Sequence, residues 1–148
     1  MKLLITGDIH GRSDILKKIL QKETDFDLHL NTGDLGLDMV TIEQSKMIAV
    51  KGNNDYFLDL PLSRIIDFDG KKILLVHGHM EDVKYGLGKL QVEAFKNKVD
   101  ICIFGHTHEA FYKNIEGVEF INPGALSGLK DKSYAVYESG RVSFINAD

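Results

Sequence analysis

The sequence predicts an α/β fold: two packed mixed sheets with helices on their outer faces, in a single domain spanning residues 1–148. Three observations predict it. Over the first fifty residues, short apolar runs alternate with stretches of helical period, the β-α-β-α-β order of a parallel sheet covered by helices. Beyond them come paired apolar runs divided by DG, EG, NPG and SG turns, the pattern of antiparallel strands. Finally, five strand ends carry polar motifs, GDIH, TGD, GNND, HGH and GHTH. In open α/β sheets, ligands bind outside the carboxyl ends of the strands.

Taken in order, Lys2–Thr6 is a short buried strand that runs into 7-GDIHGR-12. Ser13 is the expected N-cap of a helix reaching about Lys22, because Ile15, Leu16, Ile19 and Leu20 fall on one face. Leu28–Asn31 is a second strand, ending at 32-TGD-34, and Thr41–Ser45 a short helix. Met47–Val50 is a third strand, ending at 52-GNND-55. Arg64–Phe68 and Lys72–Val76 form a hairpin around Asp69-Gly70, and its second strand ends at 77-HGH-79. Leu87–Asn97 is helical by period, and Ile101–Phe104 is a strand ending at 105-GHTH-108. Strands follow at Phe111–Ile115, Val118–Ile121, Tyr134–Tyr137 and Val142–Ile145.

Composition excludes several classes of function. Hydrophobic residues at 43% and charged residues at 27% are those of a soluble globular protein, long enough to bury a core without covalent staples. The net charge of −4 argues against binding nucleic acid mainly through its backbone, so nucleic acid ranks low among partners. The single Cys102 excludes an intrachain disulfide and a thiolate metal cage. No apolar run approaches a membrane span, and MKLLITGDIHG lacks the apolar core of a signal peptide. A cytoplasmic protein is therefore expected. If the chain assembles at all, a symmetric homodimer is the expected form.

Turn chemistry explains the Gly, Asn and Asp of these motifs, but turns do not call for paired imidazoles. Five of the six histidines lie in or beside the strand-end turns. Together Asp8, His10, Asp34, Asn53, His77, His106 and His108 offer oxygen and nitrogen donors without sulfur. Such a set suits a divalent ion such as Mn, Fe, Co, Ni or Zn. Seven donors exceed one tetrahedral site and suit two ions sharing a bridge. A pair of ions about 3.5–4 Å apart can hold a hydroxide that is nucleophilic near neutral pH.

The ordered series GDIHG, GD, GNND, HGH, GHTH resembles the calcineurin-like metallophosphoesterase superfamily. With the 121-INPGALSG-128 tail and no cap domain, it looks like the small bacterial and archaeal phosphodiesterase branch, to which the retromer scaffold subunit is related. The resemblance implies a four-layer α/β/β/α sandwich and two divalent ions, manganese foremost. It implies one ion on Asp8, His10 and His108, and another on Asn53, His77 and His106, with Asp34 bridging. The implied reaction is hydrolysis of a small or exposed phosphodiester by the bridging hydroxide. A non-catalytic scaffold on the same fold is the alternative, although a scaffold has no reason to retain every donor.

One departure matters. Many members carry His directly after the metal-binding Asn, near the leaving group, where this chain has Asn54. An amide can orient a phosphoryl oxygen but cannot act as a general acid at physiological pH. Asn54 is therefore expected at the substrate, and leaving-group protonation is unassigned. His79, two residues past His77, is a candidate for that proton, or it orients a ligand, or it is merely solvated. Arg12 either reaches a substrate phosphate or faces water. Asp55 is expected to orient a ligand, Asn122 to serve a turn, and His29 to pack within its strand. Substrate choice is expected in the loops Tyr56–Leu62 and Met80–Gly88.

Overall fold

The computed structural model describes residues 1–148 and contains ten strands and three α-helices. The strands are β1 (Lys2–Thr6), β2 (Leu28–Asn31), β3 (Ile48–Ala49), β4 (Ser63–Phe68), β5 (Lys71–Val76), β6 (Ile101–Ile103), β7 (Ala110–Ile115), β8 (Val118–Pro123), β9 (Ser133–Glu138) and β10 (Arg141–Asn146). The helices are α1 (Ser13–Lys22), α2 (Met39–Ser45) and α3 (Gly88–Lys96). One sheet has the order β10-β9-β1-β2-β3 and the other β4-β5-β6-β8-β7. In each, three parallel strands are extended by antiparallel ones.

Strand periodicity builds the layers. Leu3 and Ile5 of β1 point into a core shared with Leu30, Ile73, Leu75, Ile101, Ile103 and Ile121, drawn from both sheets. Leu4, facing the other way, packs with Ile15, Leu16 and Ile19 of α1 and with Ile42 of α2. Leu74, Val76 and Cys102 likewise face out, onto Leu90 and Ala94 of α3. Three apolar interfaces separate four layers, and the molecule is the α/β/β/α sandwich that the motifs imply. Cys102 is fully buried in the α3 interface, and burial pushes its thiol pKa up.

Several boundaries differ from the sequence reading for local reasons. Ser13 is the first helical residue and not the cap: Arg12 occupies that position, its carbonyl accepting from the Leu16 amide, and no side chain caps the helix. Helix α2 starts two residues earlier than its apolar pattern suggests, because the Asp38 carboxylate accepts from the Thr41 amide at 2.8 Å. Strand β3 keeps only two residues, since the Lys51 amide turns away to the Pro61 carbonyl. A 3-10 turn over Val83–Tyr85 precedes α3, which starts at Gly88.

Ile103 is fully buried between the sheets, whereas Val40 on α2 is 61% exposed. Ile103→Ala is expected to cost about 2–5 kcal/mol of unfolding free energy. Val40→Ala should stay within about 0.5 kcal/mol of the parent. Urea unfolding of both variants, read at constant m-value, checks the pair.

Candidate metal centre

Parallel pairing brings the carboxyl ends of β1, β2 and β3 side by side, and those of β5 and β6 likewise. The loops leaving them are held in a conformation that side chains rarely adopt. Asp8, His10, Asp34, His106 and His108 all have positive φ, between 46° and 71°. Each such residue costs of order 1–3 kcal/mol, and strain of this kind gathers at functional sites. The cost is met by cross-loop bonding. The amides of Asp8, His10 and Gly11 donate to the carbonyls of Gly33, Asp34 and Leu35 at 3.0, 3.0 and 2.9 Å, zipping the first two loops together.

Glycines set how closely the loops approach. A Cβ at Gly52 would lie 2.4 Å from the Asp34 nitrogen and 2.1 Å from its Oδ1. One at Gly105 would lie 2.4 Å from Thr32 Oγ1 and 2.9 Å from Asp8 Oδ2. The glycine that precedes Asn53, and the one that precedes His106, are therefore required by packing against the carboxylates.

All seven donors converge. Asp8 and Asp34 are buried, with exposures of 0% and 2%. Asp8 Oδ1 lies 3.3 Å from His108 Nε2, 3.8 Å from His10 Nε2 and 3.9 Å from His77 Nε2. Asp34 Oδ2 lies 3.4 Å from His77 Nε2 and 3.7 Å from His10 Nε2, so it faces both halves of the cluster. Asn53 Oδ1 and His106 Nδ1 approach His77 Nε2 at 2.9 and 3.2 Å. Two three-donor groups have the spacing of a cation site, Asp8 with His10 and His108, and Asp8 with Asp34 and His77.

The polar chemistry of these groups fits divalent cations. Asp8 Oδ1 is buried and accepts no hydrogen bond, an orphaned carboxylate oxygen aimed at three imidazoles. His77 Nδ1 donates to the Thr32 carbonyl at 2.8 Å, which leaves the Nε2 lone pair of the neutral ring facing the cluster. In the neutral ring, that lone pair and the carbonyl oxygen of the Asn53 amide are two acceptors that a shared cation would satisfy. The imidazolium favoured without a cation instead donates from Nε2 to that oxygen. His10 is exposed and His106 and His108 are partly so, and the cluster opens to solvent on the side they line.

Several residues orient the donors from behind. Asp55 accepts from the amides of Asp34, Leu35 and Gly52 at 2.8, 3.0 and 2.8 Å, which ties the GNND turn to the GD turn. Asn54 grips Asp34 through its backbone amide at 2.9 Å and its side-chain amide at 3.0 Å. Asn122 does more than serve its turn: its side-chain amide donates to the Gly105 carbonyl and to Thr107 Oγ1, clamping the GHTH loop. Ser127 Oγ donates to the Asp8 carbonyl at 2.8 Å, a contact that no local pattern announces. His79 stacks at a tilt 5.4 Å from the His77 ring, with its Nδ1 buried and unpartnered. Arg12 forks onto Asp14 at the surface. His29 packs against Phe26 and hydrogen-bonds Thr6 Oγ1 at 2.7 Å, and burial pushes its pKa down to about 4.

Charge in the cluster is arranged for proton exchange with a cation. Burial opposes the Asp8 charge, but His10 and His108 outweigh it and lower its pKa. At Asp34, burial is likewise outweighed, by His77 and Asn54. The Asp8 contact holds the His10 pKa above its ordinary value. Burial would lower that of His77, yet Asp34 and Asp8 raise it. His106 is pushed down to about 4, by burial first and then by the charges of His77 and Lys84. With no cation bound, His10 and His77 thus keep a proton to a higher pH than free imidazoles, while His106 is already neutral. Divalent-ion affinity should fall as pH drops through and below 7, by roughly tenfold per unit for each displaced proton. Calorimetric Mn²⁺ titrations in buffers of different ionisation enthalpy give both the affinity and the protons released. Gly52→Ala should weaken Mn²⁺ by at least about tenfold, because it displaces Asp34 and so the ligand geometry.

A family model described as the calcineurin-like phosphoesterase superfamily domain matches residues 1–141. A probable metallophosphoesterase of Bacillus subtilis, YsnB, is 32% identical over 140 residues, covering 92% of this chain and 83% of its own. The phosphodiesterase MJ0936 of Methanocaldococcus jannaschii is 27% identical over 149 residues, covering 86% of each chain. A Streptococcus pneumoniae protein described as a predicted phosphoesterase superposes with a TM-score of 0.89 at 24% identity, over 99% of this chain and 89% of that one. A single mutant of Vps29 from Entamoeba histolytica superposes with a TM-score of 0.81 at 26% identity, over 99% and 98%. By fold, by motif and by this match over nearly its whole length, the chain belongs to the calcineurin-like phosphoesterase superfamily.

Proposed function

We propose that this member is a dinuclear metal-dependent phosphodiesterase acting on a small or exposed phosphodiester. The observation that carries the reading is the buried pair Asp8 and Asp34 facing the nitrogens of His10, His77 and His108 from an orphaned carboxylate oxygen. Asp8, His10 and His108 would hold one ion; Asn53, His77 and His106 the other; and Asp34, facing both halves, would bridge. Bound there, the ions supply a water of lowered pKa as nucleophile and neutralise charge on the phosphoryl oxygens. Manganese is the ion proposed first, with iron, cobalt, nickel or zinc as alternatives, and the oxygen and nitrogen donor set accommodates each of them.

The chain's own residues set the rest of the chemistry. Asn54 fixes the orientation of Asp34 with two hydrogen bonds, and in this reading the exposed Asn54 also meets a phosphoryl oxygen. Burial and the neighbouring His77 lower the His79 pKa, so its ring is neutral near pH 7. In that form His79 donates a hydrogen bond toward the leaving group without delivering a full proton. Arg12 is a second substrate contact once it releases Asp14, an exposed pair worth little to stability. With no strong acid at hand, esters of low-pKa leaving groups react fastest, and the diester preference follows the named activity of the archaeal relative.

No helix is long and apolar enough to cross a membrane. The proposed setting is the cytoplasm, with a small phosphodiester as partner, nucleic acid ranked low, and a homodimer if the chain assembles. The second reading is a non-catalytic metal-binding scaffold, favoured by the likeness to Vps29.

Metal-stripped protein should hydrolyse bis(4-nitrophenyl) phosphate only after Mn²⁺ is restored, and faster than it does 4-nitrophenyl phosphate. Asp34→Asn should lower kcat/KM by at least about a hundredfold, and His79→Ala by about tenfold. Across a series of aryl diesters the rate should rise steeply as leaving-group pKa falls. Stoichiometric Mn²⁺ binding with no turnover of any diester would favour the scaffold.

A further inference from the structure

A cavity of about 620 Å³ adjoins the metal centre, lined by His106 and His108 and by Val83, Lys84 and Leu129. It is large enough for an organic group well beyond the phosphoryl group that the ions would hold. Its charges are unequal in standing. Lys130 pairs with Glu109 at 2.7 Å and also donates to the Thr107 carbonyl at 3.3 Å, so these two charges satisfy each other at the cavity wall. Nearby Asp82 is paired with Lys89. Lys84 alone among the charged side chains of the cavity has neither an ion-pair nor a hydrogen-bond partner in the chain. The fully exposed Leu129 adds apolar surface beside it.

We propose that this cavity is a subsite for one esterified group of the substrate, and that Lys84 pairs there with a second anion carried by that group. The substrate class is then a phosphodiester bearing a further phosphate or comparable anion on its organic moiety. The inference rests on the phosphodiesterase reading and narrows it. Lys84 lines the same cavity as His106 and His108 and so stands beside the centre. It is nonetheless on the His106 side and away from Asp34, and the cavity continues outward to Leu129 and Lys130. An ammonium in this place complements an anion beyond the scissile one, and as a flexible point charge it selects for charge more than for shape. The Glu109 carboxylate, held by Lys130, does not compete for it.

The test uses Mn²⁺-loaded protein and two chromogenic substrates, thymidine 5′-(4-nitrophenyl phosphate) and the same compound with a 3′-phosphate. The readout is the ratio of kcat/KM between them. The parent should favour the 3′-phosphorylated compound by about tenfold or more at low salt, the scale of one charge-assisted contact. The preference should shrink as ionic strength rises. Lys84→Ala should bring the ratio within about threefold of unity, and Lys84→Arg should keep it. In parallel, calorimetry compares binding of thymidine 3′,5′-bisphosphate with that of thymidine 5′-phosphate to parent and Lys84→Ala. Turnover with no Lys84-dependent preference in rate or binding would overturn the subsite and leave the phosphodiesterase reading standing. A Lys84-dependent preference in binding with no turnover of either compound would do the reverse. Equal loss of both rates in Lys84→Ala, with the ratio unchanged, would also overturn the subsite, because the lysine would then act at the scissile group.

Discussion

Two carboxylates buried at the ends of neighbouring strands are the constraint from which the rest of this molecule follows. Asp8 and Asp34 are almost without solvent, and Asp8 keeps one oxygen with no hydrogen-bond donor. An isolated buried carboxylate shifts its pKa and goes neutral unless other groups hold its charge. Here the holding groups are imidazoles: His10 and His77 gain proton affinity from the carboxylates while Asp8 and Asp34 lose it. Protons on the imidazoles hold that charge, and a cation bound there would take their place. The frame of the cluster must resist collapse in either condition, and that demand explains the bonding around it. Asp55 takes three amides, Asn122 clamps the loop of His106 and His108, and the first two loops are zipped by backbone bonds.

The donors also divide by sheet. Asp8, His10, Asp34 and Asn53 follow β1, β2 and β3, whereas His77, His106 and His108 follow β5 and β6 of the other sheet. Bonds cross between the two sets, from His77 Nδ1 to the Thr32 carbonyl and from the His106 amide to Asp8 Oδ2. The centre therefore closes the open end of the apolar core formed by Leu3, Ile5, Ile73 and Ile103. Hydrophobic burial joins the sheets along their length, and polar geometry sets their relative position at the tip. The positive-φ loops are tolerated because both kinds of contact over-determine them.

Much of this was legible in one dimension, for physical reasons. The continuous apolar runs LLI and ILLV marked strands buried on both faces, and the face of Ile15, Leu16 and Ile19 marked α1. The donors could be read because turns do not need imidazoles, and four histidines stand beside the Asp and Asn of turns where strands end. What could not be read depends on distant partners. The contact of Ser127 with Asp8 spans 119 residues, and nothing around Ser127 distinguishes it from an ordinary loop serine. Asn122 was legible as turn chemistry, but its second task on Gly105 and Thr107 requires the pairing of β6 with β8. The shortening of β3 and the turn over Val83–Tyr85 come from tertiary bonding that outweighs local propensity.

That same turn bears on how specificity and chemistry are divided. The ligands sit on loops fastened at several points, and their geometry tolerates little change: a methyl group at Gly52 would strike the Asp34 backbone. Exposed side chains on the loops beyond them are fastened much less. Tyr56, Phe57, Tyr85 and Leu129 are mostly or wholly exposed, and Lys84 has no partner. Substitution at such positions costs the fold little, since they contribute neither to the cores nor to the clamps. A rigid centre with a less constrained exposed surface would separate chemistry, proposed for the buried residues, from substrate choice, proposed for the exposed ones. Selection on substrate could then rework that surface without disturbing the carboxylates on which the centre depends.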